Sequence, residues 1–425
     1  MRFIVISILA GTLLASCATS TRNWKSNDLP GKFSASFAYF NGKDRRTVDL
    51  AKDDILFMKY FLAATGGDLT LSVSHKGVTV WQKKLTGISD TAEYHLVAPS
   101  TGRYTITVSG KKAAGSFEIR YRTVPPKTVQ VRTNRNIELF GLMMVLDDGP
   151  GQLSRKDTMV FDGRRAVWAQ WYAMVPRNYE RYKAFDTCRI MNIYRKMQTE
   201  GYFYDFFVGF LLQVDEVPFA RINSATDQGQ IARFSPGGDM AAARQKATDF
   251  LNALNSFSLS IDLDAYLTKY KPYYDLALAS VVKNVPHGDF LPVMEQYYQK
   301  QFSEYNLVPS LSLFTAMGFG IMNQSTRKIY NAFGSFTFQS FDSDHPDMGF
   351  DDPVKIRALA AHEFGHSFAN PAIDSLPSSL ITATAYLYEP IKQEMKNQGY
   401  TAWFMSLYEH LVRAGEVIEI GRAHV

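Results

Sequence analysis

The sequence predicts a multidomain protein in which an N-terminal all-β sandwich is followed by a mainly α, α+β domain. Three observations carry this prediction. From about residue 34 to residue 122, apolar and polar residues alternate in short runs such as "DLTLSVSH" and "RYTITVSG", the period of half-buried strands. Pro125 and Pro126 cannot continue a sheet ladder and mark a boundary. Beyond them apolar residues recur every three or four positions, as in amphipathic helices.

Composition sets broad limits on the class of protein. The chain has 425 residues, of which 46% are hydrophobic and 20% are charged. This is enough apolar material for two or three packed domains. The formal net charge is +5, and no Lys/Arg stripe with interleaved aromatic residues is present. Nucleic acid is therefore not an expected partner.

The first 17 residues, "MRFIVISILAGTLLASC", have the features of an export signal. A cationic start precedes an apolar run that is too short to span a bilayer as a helix. The sequence "LASC" resembles the bacterial lipobox, and this resemblance implies that Cys17 is acylated and that residues 18–32 form a polar tether. We therefore expect a lipid anchor and a location in the bacterial cell envelope, on the periplasmic or surface face of the outer membrane. The alternatives are a plain secretory signal and a buried cysteine.

The predicted β-sandwich spans residues 33–124. Its expected strands include "SASFAYF", "VTVWQKKL" and "SFEIRYR", and the stretches "NGKD", "TGGD", "PSTG" and "SGKKAAG" are expected to be turns between strands. The stretch "APSTGRYTITVSG" resembles the last hairpin of the small β-sandwich modules that accompany secreted bacterial peptidases. Such a module can bind sugar or substrate, or it can act as a spacer.

The stretch "FDDPVKIRALAAHEFGHSFANPA" predicts a helix in the second domain. Asp351 or Asp352 can cap its start, and Pro353 suits its first turn. Pro371 is expected to end it. The helix contains several small residues, which permit a neighbouring backbone to approach closely. This stretch contains the motif HExxH.

His362 and His366 are four residues apart and project from one face of this helix. Two imidazoles on one face can bind one tetrahedral Zn²⁺ ion. Glu363 projects beside the ion, where its carboxylate can accept a proton from the attacking water. The alternatives are two core histidines, which would be expected among larger aliphatic residues, and a structural zinc site, which would be rich in Cys.

A catalytic zinc site needs a third protein ligand, and the sequence offers Glu389, Glu409 and Glu416 as candidates. Pro390 follows Glu389 directly and disfavours a helical position for it. Glu409 lies in an amphipathic helix, and Arg413 one turn later could hold its carboxylate in place. Glu416 follows a glycine at an expected helix end.

The motif "HEFGH" resembles the active-site helix of the zincin metallopeptidases. Ala369 and Ala372 occupy the positions where metzincins have Gly and His, so that class is excluded. The ensemble of "RNIELFGL", "HEFGHSFANP" and "EHLVRA" resembles an uncharacterised family of bacterial, largely Bacteroidetes-type, lipoproteins with a gluzincin-like site. The resemblance covers about residues 133–418. It implies a zincin-like (thermolysin-like) domain over residues 130–418, with Glu409 as the third ligand.

The stretch "IYNAFGSFTF" precedes the motif helix, and its "NAF" resembles the edge-strand motif of thermolysin-like enzymes. This implies that Asn331 and Ala332 bind the backbone of an extended peptide by strand pairing. An ordinary core strand is the alternative. Tyr386, Tyr388 and His410 are candidates for the donor that stabilises the transition state, and the sequence does not choose among them.

The expected function is zinc-dependent hydrolysis of a peptide bond by an exported, lipid-anchored protein. Its partners would be a peptide or protein substrate and a membrane. The alternative is a non-catalytic surface-binding lipoprotein with a degenerate metallopeptidase fold. Residues 419–425, "EIGRAHV", can be encoded by a common sequencing-adapter sequence, and we expect them to be an artefactual end.

Overall fold

The computed structural model describes residues 19–154, 158–161, 164–167, 171–235, 237–314 and 318–422. The chain divides into two compact units, Met1–Lys127 and Thr128–Val425. Cys17 and the rest of the predicted export signal lie outside the described residues. Within the described part of the chain, no helix is both long enough and apolar enough to cross a membrane.

The first unit is an antiparallel sheet built on three long strands. Strand β7 pairs with β3 on one side and with β4 on the other, and the free side of β4 pairs with β6 along its first half and with β5 along its second. The side chains that alternate along these strands supply a separate apolar core. The strands are β1 Ser20–Arg22, β2 Lys25–Leu29, β3 Lys32–Leu50, β4 Ile55–His75, β5 Val78–Thr86, β6 Ser89–Val97 and β7 Gly102–Val124.

Three of the predicted turns are wrong, because "NGKD", "TGGD" and "SGKKAAG" lie inside β3, β4 and β7. The pairing register shifts at these stretches, between Phe40 and Gly42 and between Ala64 and Asp68. Glycine permits this arrangement. A Cβ on Gly115, which has φ +145°, would lie 1.9 Å from the carbonyl oxygen of Ala63. These glycine-containing stretches therefore mark irregularities within long paired strands and not the ends of the strands.

The predicted tether over residues 18–32 is also corrected by the structure. Within it, β1 and β2 pair with β3 in an antiparallel register, from Ser20 opposite Asn41 to Leu29 opposite Lys32. All residues of β1 and β2 are exposed, and Trp24, which lies between the two strands, packs against the core. Exposed edge strands and linkers are both polar, so composition alone does not distinguish them.

The second unit is largely helical. Its α-helices are α1 Arg135–Ser154, α2 Met174–Tyr182, α3 Arg189–Thr199, α4 Tyr204–Leu211, α5 Gln228–Ala232, α6 Met240–Ser260, α7 Leu263–Asn284, α8 Phe290–Tyr298, α9 Pro353–Asp374, α10 Ser378–Thr384, α11 Lys392–Asn397 and α12 Trp403–Arg422. Short 3₁₀ turns cover Lys183–Phe185, Ala385–Leu387 and Glu389–Ile391. In the stretch "GYFYDFFVGF", Phe206, Phe207 and Phe210 of α4 pack in the core of this unit, whereas Phe203 is 72% exposed.

A small mixed sheet in this unit has the order β12-β13-β11-β8. Strand β11 runs parallel to both β8 and β13, and β12 is antiparallel to β13 at the edge. The motif helix α9 packs against β12, β13 and α12. The strands are β8 Val129–Val131, β11 Glu304–Pro309, β12 Gly318–Asn323 and β13 Lys328–Phe333, and a separate hairpin pairs β9 Thr158–Phe161 with β10 Arg164–Val167.

A carboxyl group is buried in the core of the helical unit. Glu138 is 1% exposed, and its Oε2 accepts hydrogen bonds from the Tyr274 hydroxyl at 2.5 Å and from the Ser312 amide at 3.3 Å. Burial raises the pKa of Glu138 to about 7. The folded protein therefore holds this proton at a pH where the unfolded chain has released it.

This burial predicts a pH-dependent stability difference for Glu138→Gln. Between about pH 4.5 and 7, the unfolded wild-type chain has released the Glu138 proton while the folded protein still holds it, so the free energy of unfolding of wild type falls as pH rises. The glutamine of the variant carries no such proton, so this loss of stability is absent from the variant. The stability of the variant relative to wild type should rise by on the order of 3 kcal/mol across this range. Urea unfolding of both proteins at about pH 5 and about pH 8 measures it. A difference that is constant with pH would contradict the prediction.

Candidate metal centre

The motif helix α9 begins and ends at identifiable residues. The Asp352 carboxylate accepts a hydrogen bond from the Lys355 amide at 2.9 Å, and Pro353 occupies the first turn. The prediction that Pro371 ends the helix is wrong, because α9 continues to Asp374. Pro371 removes one backbone hydrogen bond in the last turn, and the helix continues only to Asp374 beyond it.

Small residues bring the motif helix close to the C-terminal helix α12. A Cβ on Gly365 would lie 3.0 Å from a methyl carbon of Val412 and 3.3 Å from the Tyr298 hydroxyl. Ala361 is also buried on α9. This packing explains a glycine in the middle of a helix, where it costs about 1 kcal/mol relative to alanine. It also places Glu409, three residues before Val412, against the two histidines of the motif.

His362, His366 and Glu409 form one cluster of potential metal ligands, with all three ligand atoms within 4.8 Å of one another. The two Nε2 atoms are 3.2 Å apart, and each is 3.7 Å from Glu409 Oε2. The corners of this triangle lie about 2.05 Å from its centre, which falls in the range of about 2.0–2.2 Å for zinc bonds to His and carboxylate. The three side chains therefore fit one small metal ion.

Hydrogen bonds at the other ring nitrogens fix how the two histidines face the cluster. His362 Nδ1 is 3.0 Å from Glu416 Oε1, and His366 Nδ1 is 3.2 Å from Asn370 Oδ1. A carboxylate only accepts hydrogen bonds, so His362 Nδ1 carries the ring hydrogen. An oxygen partner at Nδ1 leaves each Nε2 with a lone pair that points into the cluster, the arrangement typical of metal-binding histidines.

The two imidazoles differ in pKa because their surroundings differ. For His366, burial and then the neighbouring His362 lower the pKa. For His362, burial acts in the same direction, but the hydrogen bond to Glu416 and the carboxylates of Glu363 and Glu409 outweigh it and raise the pKa. Metal binding requires both rings to be neutral.

One carboxylate oxygen of Glu409 accepts a hydrogen bond, and the other has no hydrogen-bond partner. Arg413 donates from Nε to Glu409 Oε1 at 2.6 Å, and the Tyr400 side chain lies beside the same carboxyl group. Although burial opposes ionisation, Tyr400, His362 and Arg413 lower the pKa of Glu409. Glu409 Oε2 is buried without a hydrogen-bond partner. An ionised buried oxygen in this position can be balanced by a proton on one of the two imidazoles or by a bound cation.

Glu363 lies next to this cluster and not within it. Its Oε2 accepts a hydrogen bond from the Gly320 amide of the edge strand β12 at 2.8 Å. Burial raises the pKa of Glu363 to about 7. A carboxyl group with such a pKa can both accept and release a proton near neutral pH.

A cleft of about 340 Å³ opens beside Glu363 and His366. The edge strand contributes Gly318–Met322 to its lining, and α9 contributes Glu363, His366 and Asn370. Two glycines alternate on the face of β12 that meets α9. A Cβ on Gly318 would lie 2.6 Å from Glu363 Cγ, and a Cβ on Gly320 would lie 2.3 Å from the Glu363 carbonyl oxygen. The pattern G-x-G thus lets the strand lie directly against Glu363.

The prediction that Asn331 and Ala332 form the edge strand is wrong. Their strand, β13, lies between β12 and β11, with Asn331 opposite Gly320 on one side and Leu307 on the other. Both residues are fully buried, so an added strand cannot pair with their backbone. The alternative reading, an ordinary core strand, describes them. The edge position belongs to β12.

The structure also places the other sequence candidates. Glu389 is exposed and bonds to Lys392, so it does not join the cluster. Tyr386 is 70% exposed, and the Tyr388 hydroxyl donates to the Tyr400 carbonyl oxygen. His410 is exposed on α12.

The sequence offered Glu416 only as a candidate third ligand and did not single out Asn370, although a signal for the supporting role of both was present. Glu416 lies seven residues, or two helical turns, after Glu409, and Asn370 lies four residues after His366. Both spacings place a polar side chain on the face of its helix that already carries a ligand.

The contact of Gly320 with Glu363 predicts a cost for adding a single methyl group. Gly320→Ala should destabilise the protein by about 1–3 kcal/mol, because the added Cβ forces strand and helix apart. Gly66→Ala is a matched control in another strand, where the nearest atom to an added Cβ is 3.9 Å away. Denaturant unfolding measures both. Equal stability of Gly320→Ala and wild type would contradict the tight packing.

Comparison with known proteins places the second unit in a family. No curated protein is significantly similar to the chain. Similar solved structures include the carbohydrate-binding module CBM6cm-2 from Cellvibrio mixtus lichenase 5A, at 14% identity over 25% of this chain and 90% of that chain, with a TM-score of 0.18. Another is the CBM36-1 domain of a multidomain xylanase from the hindgut metagenome of Trinervitermes trinervoides, at 21% identity over 27% of this chain and 94% of that chain, with a TM-score of 0.19. These TM-scores are too low to support an inference.

One family model matches residues 129–423, and the chain therefore belongs to the family described as Domain of unknown function (DUF4932).

Proposed function

We propose that the chain is a zinc-dependent peptidase with a thermolysin-like site. One observation carries the proposal: His362, His366 and Glu409 converge on a single point, while Glu363 lies beside that point in a cleft. A buried unsatisfied carboxylate oxygen and two lone-pair-bearing nitrogens fit a small, borderline-soft cation such as Zn²⁺. Three protein ligands leave room for a water or substrate atom, which is the pattern of catalytic zinc sites.

The side chains around this point have separate roles in the proposed reaction. When bound, zinc would supply Lewis acidity that polarises a carbonyl group and acidifies a water molecule. Glu363 accepts a proton from the attacking water and returns it to the leaving amine. Glu416 and Asn370 orient the two imidazoles, and Arg413 orients Glu409.

The edge strand suggests how a substrate would lie in the cleft. Among the residues that the structure describes, strand β12 pairs with β13 alone, and its other side faces no strand. An extended peptide can pair with such an edge, which would place its scissile bond beside Glu363. The Gly320 amide already donates to Glu363. We therefore expect the substrate backbone to pair with the part of β12 between Gly320 and Met322.

The proposal includes a location. We propose that Cys17 is lipidated and that the peptidase acts in the bacterial cell envelope, on a peptide or protein outside the cytoplasm. The basis is the sequence of residues 1–17 alone, with its short apolar run and its "LASC" ending. Membrane fractionation of a Cys17→Ala variant addresses this part of the proposal independently of catalysis.

Zinc content and peptide cleavage together test the proposed reaction. Purified protein should bind about one equivalent of zinc and cleave members of a mixed peptide library, which mass spectrometry of the products identifies. A chelator should abolish cleavage, and added zinc should restore it. One equivalent of zinc without any cleavage would instead favour a non-catalytic binding protein. Failure to bind zinc would contradict both.

A further inference from the structure

The cleft beside Glu363 has a second wall that the proposed reaction does not use. Its lining also includes Asp205, Gln230 and Arg233, from the segments around α4 and α5. A Cβ on Gly209 of α4 would lie 3.3 Å from Ile321, which neighbours Gly320 in the edge strand. Successive residues of a strand face opposite sides. The Gly320 side of β12 meets Glu363, and the Ile321 side meets α4, so the two walls flank the same strand edge.

Arg233 is the positively charged residue of this wall among the described residues that line the cleft. Its guanidinium lies 4.9 Å from the centre of the Phe206 ring, and it is 3.3 Å from Asp205 Oδ2 and 3.4 Å from Gln230 Oε1. Stacking on an aromatic ring restricts the guanidinium plane without using its donors along the edge. The side chain is 45% exposed. The cation is therefore held in position and is accessible from the cleft.

Asp205 is a weak competitor for this guanidinium. It makes one contact at 3.3 Å, and its side chain is 58% exposed. Exposed ion pairs with a single long contact contribute little stability. A ligand carboxylate in the cleft can offer two parallel hydrogen bonds to the guanidinium, the stronger geometry. Asp205 therefore weakens the attraction of Arg233 for an anionic ligand but does not abolish it.

We propose that Arg233 determines specificity by binding a carboxylate of the peptide whose backbone pairs with the edge strand. This inference rests on the proposed peptidase function. The carboxylate has two possible sources, an acidic side chain or the C-terminus of the peptide. Both present the planar oxygen pair that a guanidinium recognises.

Fluorogenic peptides based on one cleaved library member test this assignment. One set replaces glutamine by glutamate at each of the three positions on either side of the cleaved bond. A second set carries either a free C-terminal carboxylate or an amide. Wild-type protein should prefer the charged member of one pair by roughly tenfold in kcat/KM. The glutamate set identifies a side chain as the source, and the acid and amide set identifies the C-terminus.

Variants connect this preference to Arg233. Arg233→Met should reduce the ratio for the charged and neutral members of that pair to about one, and Asp205→Asn should raise it by about threefold. Arg244→Met is the matched control, since Arg244 is exposed, bonds to Gln228 and is absent from the cleft lining. Its ratio should equal that of wild type. An unchanged ratio in Arg233→Met, or no charge preference in wild type, overturns the proposal.

Measurements of peptide binding test the role of Arg233 independently of the proposed peptidase reaction. Anisotropy of the same labelled peptides, measured with Glu363→Gln protein with and without Arg233→Met, reports recognition in the absence of turnover. If wild-type protein cleaves no library member, the same charged and neutral pairs are built on a library peptide that it binds, and an Arg233-dependent binding preference would then contradict the peptidase function alone. Cleavage without any Arg233-dependent preference in binding would contradict the specificity assignment alone.

Discussion

Glu409→Ala is expected to lower the affinity of the protein for zinc by more than about 100-fold, because two imidazoles alone leave the ion half solvated. This exceeds the 10–100-fold loss typical when only a hydrogen-bonded support of a ligand is removed. The buried Oε2 of Glu409 is 3.7 Å from both Nε2 atoms. Competition with a chromophoric chelator measures the affinity of wild-type and variant protein.

Two other glutamates on the same stretch of chain are controls for this loss. Glu389→Ala should leave zinc affinity unchanged, since Glu389 is exposed and bonds to Lys392. Glu416→Gln should lower affinity only within the range for a supporting residue, about 10–100-fold, because Glu416 contacts His362 Nδ1 and not the cluster centre. If Glu389→Ala loses zinc and Glu409→Ala retains it, the assignment of the third ligand is wrong.

Glu363→Gln is expected to lower kcat by about 10²–10⁴-fold, the usual contribution of a positioned acid–base group. Glutamine keeps the shape of the side chain and can still accept from the Gly320 amide, but it cannot take a proton from water at neutral pH. Initial rates on a cleaved library peptide, at saturating substrate, measure the effect.

Zinc binding is the control for this variant, because Glu363 lies outside the His362, His366 and Glu409 cluster. The variant should bind zinc with wild-type stoichiometry and nearly wild-type affinity. Turnover close to the wild-type rate would remove Glu363 from the mechanism. Loss of zinc would show instead that the substitution disturbs the cluster.

Local patterns in the sequence predicted the parts of the site that lie on single helices. The spacing of His362 and His366 and the cap at Asp352 depend on residues within one or two helical turns. The amphipathic pattern around Glu409 similarly predicted a helix with a buried face. The helix-breaking effect of Pro371 was overestimated, because a proline in the last turn removes a single hydrogen bond near an end that frays.

Features that depend on strand order were not predictable in the same way. The apolar stretch "IYNAFGSFTF" was expected to contain a strand, but burial on both faces does not reveal whether the backbone of that strand has one neighbour or two. The edge position of β12 follows from how the sheet is assembled. The glycines at 318 and 320 were a usable signal, since glycine in a strand often marks a close approach of another group.

The expected turns of the N-terminal unit failed for a related reason. Glycine-rich stretches mark either a chain reversal or a bend in a continuing strand. In β7 the stretch "SGKKAAG" is such a bend, because both of its flanks pair with β3 and with β4. Only the register of the neighbouring strands distinguishes the two outcomes.

The most direct test of a zinc site at this cluster is a crystal structure of zinc-loaded protein, with anomalous density measured on either side of the zinc absorption edge. One ion is expected, bound by Nε2 of His362, Nε2 of His366 and Oε2 of Glu409, with Glu363 adjacent and not coordinated. Protein soaked in zinc that shows no ion among these three atoms, or an ion held by Glu389 or Glu416 in place of Glu409, would contradict it.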